Sequence, residues 1–214
     1  MTQEAKVLLG IGVATIAILA GAVFMFSKNP PAPTADTNIL VKSNSHKIAS
    51  DSAKITVVEF GDYQCPACGL AYPVVERILQ DYSGRINFVF RNFPLPQHQN
   101  ALTAAEAAEA AAAQGKFWEM HNKLYINQGV WSEDKQVFDL FMGYGKDLGL
   151  DLTRFEQEVK ANKYSDIINQ DQNDGSALGV NSTPTFFIGG QKIEGVPNYD
   201  TFKNKIDEEL KKTY

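Results

Sequence analysis

The two cysteines of this 214-residue chain lie within one four-residue segment, Cys65-Pro66-Ala67-Cys68. The segment follows a β-branched, almost wholly apolar run at 55–60, a pattern typical of a central strand that is covered on both faces. Apolar residues at helical spacing, from Val74 to Leu79, come next. A single cysteine pair excludes a small fold held together by several disulfides. The chain must therefore bury an ordinary core, with the pair where a buried strand turns into a helix.

The spacing predicts different chemistry for the two thiols. Backbone N–H groups and the positive dipole end at a helix start stabilise a thiolate on Cys65. Cys68 lies one turn later, close enough to form a disulfide with Cys65. Pro66 suits the first turn of a helix, and Ala67 completes the dipeptide between the cysteines. We expect Cys65 to be the exposed nucleophile and Cys68 to be the shielded resolving thiol.

Three other uses of the cysteine pair compete with redox chemistry. A zinc site needs about four ligands, and His46, His98 and His121 are widely spaced along the sequence. A purely structural disulfide would close a loop of four residues and gain little stability. An inert pair of buried thiols leaves Pro66 and the strand-to-helix setting unexplained. Redox chemistry is therefore the favoured interpretation.

Glu59 lies inside the apolar strand, six residues before Cys65. Alternation along the strand places it on the same face as Ile55 and Val57. Burial would raise the pKa of Glu59 by disfavouring its charged form, and would make it a proton relay for Cys68. The alternative is a strand end at which Glu59 contacts water.

The order of predicted elements indicates an α/β fold with a helical insertion. A second strand at 86–90 completes a strand-helix-strand unit with a parallel crossover. Strands resume beside Gly189-Gly190, a tight hairpin signal, and Asn198 is the predicted N-cap of a final helix. The predicted α/β domain comprises 53–96 and 176–214. The helical insertion is predicted at 97–175, with helices over 101–114, from 117 onward, over 134–148 and over 152–170.

The N-terminal part of the chain predicts attachment to a membrane. The uncharged stretch from Val7 to Phe26 has 20 residues, the length that crosses a bilayer as a helix. We favour an uncleaved anchor at 1–28, with a signal peptide cleaved near Ala20-Gly21-Ala22 as the alternative. Residues 29–52 are predicted to be a Pro-rich linker and lead-in. Either interpretation exports the remainder of the chain, so the expected location is the cell membrane with the folded domain outside the cytoplasm.

The charge balance excludes one class of partner. Lys and Arg number 20 against 25 Asp and Glu, so the net charge is −5. Binding to nucleic acid needs clustered cations, and the chain has no basic block. We therefore expect no nucleic-acid partner.

Three segments together resemble the DsbA-like thiol–disulfide oxidoreductases. They are the strand and cysteine motif at 57–68, Phe117-Trp118-Glu119-Met120-His121, and Val180-Asn181-Ser182-Thr183-Pro184-Thr185. The resemblance covers roughly residues 38–214. It implies a thioredoxin-like fold with an inserted all-helical domain, as in the membrane-anchored bacterial members.

The resemblance also implies roles for residues outside the cysteine motif. Pro184 would be the family's cis-proline facing the disulfide, and the backbone of Thr183 would pair with an extended substrate segment. An ordinary trans proline at the start of an edge strand is the alternative. Glu59 matches the family's buried acid. Ala67 departs from the best-known member, which carries His before the second cysteine, and this puts a very oxidising potential in doubt.

The expected function is that of an extracytoplasmic disulfide oxidase with catalytic residues Cys65, Cys68 and Glu59. Its substrates would be reduced exported proteins, and the resemblance implies reoxidation by a membrane quinone-linked partner of the DsbB or VKOR type. No metal or organic cofactor is expected, and the chain is predicted to be a monomer. A reductase or isomerase of the same fold is the nearest alternative. A tethered non-catalytic binding or metal-carrying module is the alternative from another class.

Overall fold

The structure is a computed structural model that describes residues 35–213 and, before them, residues 3, 12, 14–16, 18, 19 and 21. The chain divides into two units, Met1–Pro33 and Thr34–Tyr214. Most of the predicted anchor at 1–28 and the prolines of the predicted linker lie outside the described residues. Within the described residues, no helix combines the length and apolar character needed to cross a membrane.

The second unit alternates helices with the strands of one sheet. In chain order its elements are α1 Thr37–Leu40, β1 His46–Ile48, β2 Ile55–Gly61, α2 Pro66–Asp81, β3 Ile86–Asn92, α3 Ala101–Ala112, α4 Phe117–Ile126, α5 Gln128–Trp131, α6 Val137–Asp147, α7 Leu152–Lys160, α8 Ser165–Ala177, β4 Thr185–Ile188, β5 Gln191–Glu194 and α9 Tyr199–Lys211.

The five strands form one mixed sheet in the order β1-β3-β2-β4-β5. Strands β2 and β3 are parallel, with Val57 opposite Phe88 and Glu59 opposite Phe90, and the other neighbouring pairs are antiparallel. Helix α2 connects β2 to β3, so the predicted strand-helix-strand unit is confirmed. The predicted α/β fold with its helical insertion is confirmed as well.

The chain between β3 and β4 is helical, and one helix prediction in it is wrong. The segment 152–170, predicted as one helix, forms α7 and α8, separated at 161–164. Asn162 lies in this break with a φ of 47°, a left-handed conformation that Asn tolerates better than most residues. Helix α8 then continues to Ala177, across the predicted domain boundary at 175/176.

The predicted hairpin at Gly189-Gly190 and the predicted helix N-cap at Asn198 are both confirmed. Gly189 and Gly190 connect β4 to β5 with φ values of 56° and 80°, which glycine adopts readily. The side chain of Asn198 accepts a hydrogen bond from the Thr201 N–H and caps α9. These two turns fix the register of the final hairpin and the start of the last helix.

Residues 37–48, predicted as linker and lead-in, contain α1 and β1. Strand β1 pairs with β3 at the edge of the sheet, with His46 opposite Phe90. The buried Arg91 side chain donates hydrogen bonds to the carbonyls of Ile39 and Leu40, 2.9 Å each. The Arg91 side chain, which extends from strand β3, therefore holds α1 in place.

The sheet is covered on both faces. Val57, Phe88 and Phe90 belong to the larger buried cluster, which also contains both cysteines and much of the helical block. Val58 and Phe60 belong to a smaller cluster on the other face. Alternation along β2 thus directs Val57 and Glu59 toward the cysteines.

Candidate active site

Cys65 stands at the junction between the loop after β2 and the start of α2. It is the N-cap of α2, and Pro66 is the first helical residue. Cys65 keeps 7% of its surface exposed, whereas Cys68 keeps none. The prediction of an exposed Cys65 is therefore wrong: it is buried, and it is only the more accessible of the two thiols. Pro66 is exposed and Ala67 half-buried. Both thiols are free, so the structure shows the dithiol form of the pair.

The surroundings of Cys65 favour its thiolate. A hydrogen bond with the Cys68 thiol is the largest contribution, and the backbone N–H groups of Ala67 and Cys68 add to it. Together they outweigh the cost of partial burial and lower the pKa of Cys65 to about 5. The N–H contribution arises because the first turn of a helix leaves its amide groups without helical partners.

The surroundings of Cys68 favour its neutral thiol. Complete burial raises the pKa of Cys68 well above its usual range, and the hydrogen bond to Cys65 and the charge of Glu59 raise it further. The backbone N–H of Asp62, 3.5 Å from the Cys68 sulfur, opposes this shift. The two thiols therefore differ strongly in acidity although they lie on one helical turn.

Glu59 is buried, with 3% of its surface exposed, and the alternative of a water-contacting strand end does not hold. Desolvation raises its pKa to about 8. Its charge contributes to the raised pKa of Cys68, so the two groups are electrostatically coupled. A carboxyl group with a pKa near 8 can both accept and donate a proton around that pH. Glu59 is therefore able to exchange a proton with the buried Cys68 thiol.

The Thr183–Pro184 peptide bond is cis, as the resemblance implies. The carbonyl oxygen of Thr183 lies 3.4 Å from the Cys65 sulfur, which donates a hydrogen bond to it. Thr183 is buried, and its Oγ1 has no protein hydrogen-bond partner. The loop before β4 therefore faces the reactive sulfur with its backbone.

Asp62 is a site residue that the sequence interpretation missed. Its carboxylate is buried and accepts hydrogen bonds from the Gln64 N–H (2.7 Å), the Leu95 N–H (2.8 Å) and His98 Nδ1 (2.6 Å). In the sequence it reads only as the polar residue that ends the strand. The bond from the Gln64 N–H to the Asp62 carboxylate, two residues apart, forms an Asx turn that orders the loop before Cys65. Asp is a residue that favours such turns, and this is the local sequence signal that could have identified it.

Two glutamine side chains attach the cysteine loop to the helical block. Gln128 donates hydrogen bonds to the carbonyls of Tyr63 (2.7 Å) and Cys65 (2.9 Å). Gln64 donates to the carbonyl of Ser132 (2.7 Å) and accepts from the Asn100 N–H (2.6 Å). The helical insertion therefore holds the backbone of the cysteine loop in place.

The three histidines considered for zinc have separate partners. His46 is paired with Glu109 at 2.8 Å, His98 with Asp62, and His121 with the Tyr63 hydroxyl at 3.1 Å. Across the described part of the chain, no group of three or more His, Cys, Asp or Glu side chains is arranged to hold a metal ion.

Comparison with known proteins supports the family that the three sequence segments resemble. The model of the thioredoxin family matches residues 42–208. The chain is 30% identical to a probable disulfide bond formation protein D of Bacillus cereus, over 79% of this chain and 81% of that protein. It is similar to a solved thioredoxin-like oxidoreductase from Silicibacter pomeroyi, with a TM-score of 0.71, 27% identity, and coverage of 83% of this chain and 99% of the other.

A second group of relatives is much longer than this chain. The chain is 40% identical to the Na(+)/H(+) antiporter NhaA 1 of Salinispora arenicola, over 72% of this chain and 23% of the antiporter. It thus spans about a quarter of that relative. The similarity to the shorter Bacillus protein extends over most of both chains. The chain therefore belongs to the thioredoxin family, among the DsbA-like thiol–disulfide oxidoreductases.

Proposed function

We propose that the protein is an extracytoplasmic disulfide oxidase that works through Cys65 and Cys68. The observation that carries the proposal is the opposite shift of the two thiol pKa values, with Cys65 lowered to about 5 and Cys68 raised. A stabilised Cys65 thiolate favours the reduced form of the pair. The corresponding disulfide is then a better electron acceptor.

The reaction begins with the oxidised pair. A client thiolate attacks the Cys65 sulfur, the Cys65–Cys68 bond breaks, and Cys68 leaves as a thiolate that takes up a proton. A second client thiolate then attacks the client sulfur of the mixed disulfide and releases Cys65 as a thiolate. The client loses two electrons and gains a disulfide, and the cysteine pair gains the two electrons. Glu59 is the proposed donor of the proton to Cys68, because it is buried beside that thiol and titrates near pH 8.

Client binding is proposed at the loop around Thr183 and Pro184. Thr183 presents its carbonyl 3.4 Å from the Cys65 sulfur, where an extended client segment can add as a strand. Leu70, Ile126 and Val130 are large apolar side chains exposed to 68%, 68% and 64%. Gln128, between the last two in sequence, bonds to the Cys65 carbonyl, so exposed apolar surface lies near the site. Such surface suits a reduced, incompletely folded protein.

The proposed location is the outer side of the cell membrane, with residues 1–28 as the anchor. A membrane quinone-linked protein of the DsbB or VKOR type is the proposed electron acceptor that regenerates the disulfide. The monomeric state, the absence of a nucleic-acid partner and the absence of a metal or organic cofactor remain predictions.

Replacing the nucleophile tests the proposal. Oxidised wild-type protein is mixed with a reduced, unfolded client, and the free thiols of the client are counted over time. Cys65→Ala should abolish catalysed disulfide formation. Lys160→Met, which changes an exposed residue, should leave it unchanged. Oxidation at the wild-type rate by Cys65→Ala protein would refute the proposal.

The direction of electron flow separates the oxidase from its alternatives. In a glutathione titration, a potential well above the thioredoxin value of about −270 mV supports the oxidase, and one near that value supports a reductase. Metal retained stoichiometrically by freshly purified reduced protein, and lost in Cys68→Ser, would instead support a metal-carrying module.

A further inference from the structure

The side chain of Gln128, in α5, packs directly on the backbone of Gly69, in α2. A Cβ at position 69 would overlap Gln128 Oε1 and would lie 2.9 Å from Gln128 Cδ. Gly69 lies in helical backbone, where alanine is favoured over glycine, so glycine costs stability at this position. What glycine provides there is space, which the Gln128 amide occupies.

The Gln128 amide uses both of its N–H groups on the turn that carries Cys65. Its Nε2 donates to the carbonyl of Tyr63 at 2.7 Å and to the carbonyl of Cys65 at 2.9 Å. The same Cys65 carbonyl also accepts the N–H of Gly69 at 3.1 Å, the helical bond that begins at the N-cap. Gln128 and Gly69 therefore meet at one oxygen atom of the proposed nucleophile.

The orientation of the Cys65 backbone determines where the Cys65 sulfur points. The sulfur lies 3.4 Å from the Thr183 carbonyl, and the N–H groups of Ala67 and Cys68 favour its thiolate. Hydrogen bonds weaken steeply as their angle departs from linear. A rotation of the Cys65 backbone would therefore weaken several contacts of the sulfur at once.

We propose that Gln128 is a positioning residue for thiol–disulfide exchange, whose amide, packed on Gly69, holds the Cys65 turn so that the sulfur faces the first turn of α2 and the Thr183 carbonyl. Gln128 takes up no proton and no electron, and it acts on the sulfur only through the backbone of Cys65. Gly69 acts through Gln128, because a side chain at position 69 displaces the amide. The inference rests on the proposed role of Cys65 as the nucleophile.

The test is the pKa of Cys65 in the reduced protein, read from the rate of Cys65 alkylation by iodoacetamide as a function of pH. Gln128→Ala and Gly69→Ala should each lower the ionisation constant of the Cys65 thiol about tenfold, the scale of one hydrogen bond. Its pKa should thus rise from about 5 toward the usual thiol range. Gly143→Ala is the matched control, because a Cβ on this helical glycine meets nothing within 4 Å, and it should keep the wild-type pKa.

The double variant, Gly69→Ala with Gln128→Ala, tests whether the two residues act together. Once the Gln128 amide is gone, a Cβ at position 69 has no amide to displace. The double variant should therefore have the same Cys65 pKa as Gln128→Ala alone. Additive changes in the ionisation constant would refute the proposed action of Gly69 through Gln128.

Urea unfolding of each variant separates positioning from a purely structural role. An amide that only stabilises the fold would lower the stability of Gln128→Ala protein and leave the Cys65 pKa unchanged. A wild-type pKa in both single variants, or the loss of cooperative unfolding in both, would overturn the inference and leave the proposed function intact. The proposed function fails separately, if Cys65→Ala protein still oxidises the reduced client at the wild-type rate.

Discussion

The Cys65 sulfur donates a hydrogen bond to the carbonyl oxygen of Thr183, 3.4 Å away, although the two residues are 118 positions apart in the chain. This contact joins the start of α2 to the loop before β4. The central sheet brings the two segments together, because β4 pairs directly with β2, the strand that leads to Cys65. The reactive sulfur and the proposed client-binding backbone are therefore positioned by one pair of strands.

The low pKa of Cys65 should depend on Cys68. Its largest cause is the hydrogen bond from the Cys68 thiol, so Cys68→Ala should raise the pKa of Cys65 from about 5 toward the usual thiol range. Cys68→Ser keeps a hydroxyl donor and should raise the pKa by less. The measurement is the rate of Cys65 alkylation as a function of pH. Equal values in wild type and Cys68→Ala would show that the helix start alone sets the acidity.

Cys68→Ala should also trap the client. Without a resolving thiol, the mixed disulfide at Cys65 cannot revert by attack from Cys68, and its lifetime depends on a second client thiol. A single-cysteine client whose thiol has first been converted to its mixed disulfide with glutathione should therefore accumulate as a covalent complex, because the Cys65 thiolate attacks the client sulfur and glutathione leaves as a thiolate. The complex is seen on a non-reducing gel and is removed by dithiothreitol. Cys65→Ala protein is the control and should form no such complex.

Glu59 should make the reduced protein less stable as the pH rises. Its pKa is about 8 in the folded protein and near 4.5 when unfolded, so between these values the folded state binds more protons. Stability therefore falls as the pH rises from about 4.5 to 8, by up to ~5 kcal/mol. Glu59→Gln removes this titration. Urea unfolding should show its advantage over wild type growing toward pH 8 and vanishing near pH 4.5.

The sequence predicted the elements that depend on local patterns. Strand β2, the start of α2 and the Gly189-Gly190 hairpin follow from apolar runs and from residues with restricted or unusual backbone preferences. Strand alternation placed Glu59 on the face of Ile55 and Val57, and its burial was one of two alternatives that the structure decided. The strand, the helix start and the hairpin are encoded by neighbours in the chain, so they were accessible without tertiary information.

The features that the sequence did not reveal depend on distant contacts. Strand β1 has only three residues and is held by pairing with β3, and α1 is held by Arg91. Asp62 became visible as a site residue only when His98, 36 positions later, was found on its carboxylate. Such polar networks leave no periodic signal, because each member is a single residue in a different element.

Arg91 should be essential for stability. It is fully buried and bonds to Asp171 at 2.6 Å and to Asp174 at 2.5 Å. Arg91→Met leaves the buried Asp171 carboxylate without a cation and Asp174 with only Lys42, 3.7 Å away, and should cost about 3–5 kcal/mol in urea unfolding at pH 7. Burial raises the pKa of Asp171 to about 6, so the loss should shrink at pH 5, where a protonated Asp171 needs no cation. Lys160→Met, at an exposed pair with Glu156, should change stability by less than about 1 kcal/mol.

Two helical glycines should respond in opposite directions to the same substitution. A Cβ on Gly175, in α8, would lie 2.8 Å from the Phe93 ring and 2.9 Å from that of Phe60, whereas one on Gly143, in α6, would meet nothing within 4 Å. Alanine favours a helix by about 1 kcal/mol over glycine, so Gly143→Ala should stabilise the protein by about that amount. At Gly175 the overlap with buried rings costs about 1–3 kcal/mol and should outweigh this gain. Thermal unfolding of both variants checks the contrast, and stabilisation by Gly175→Ala would mean that the rings of Phe60 and Phe93 move aside.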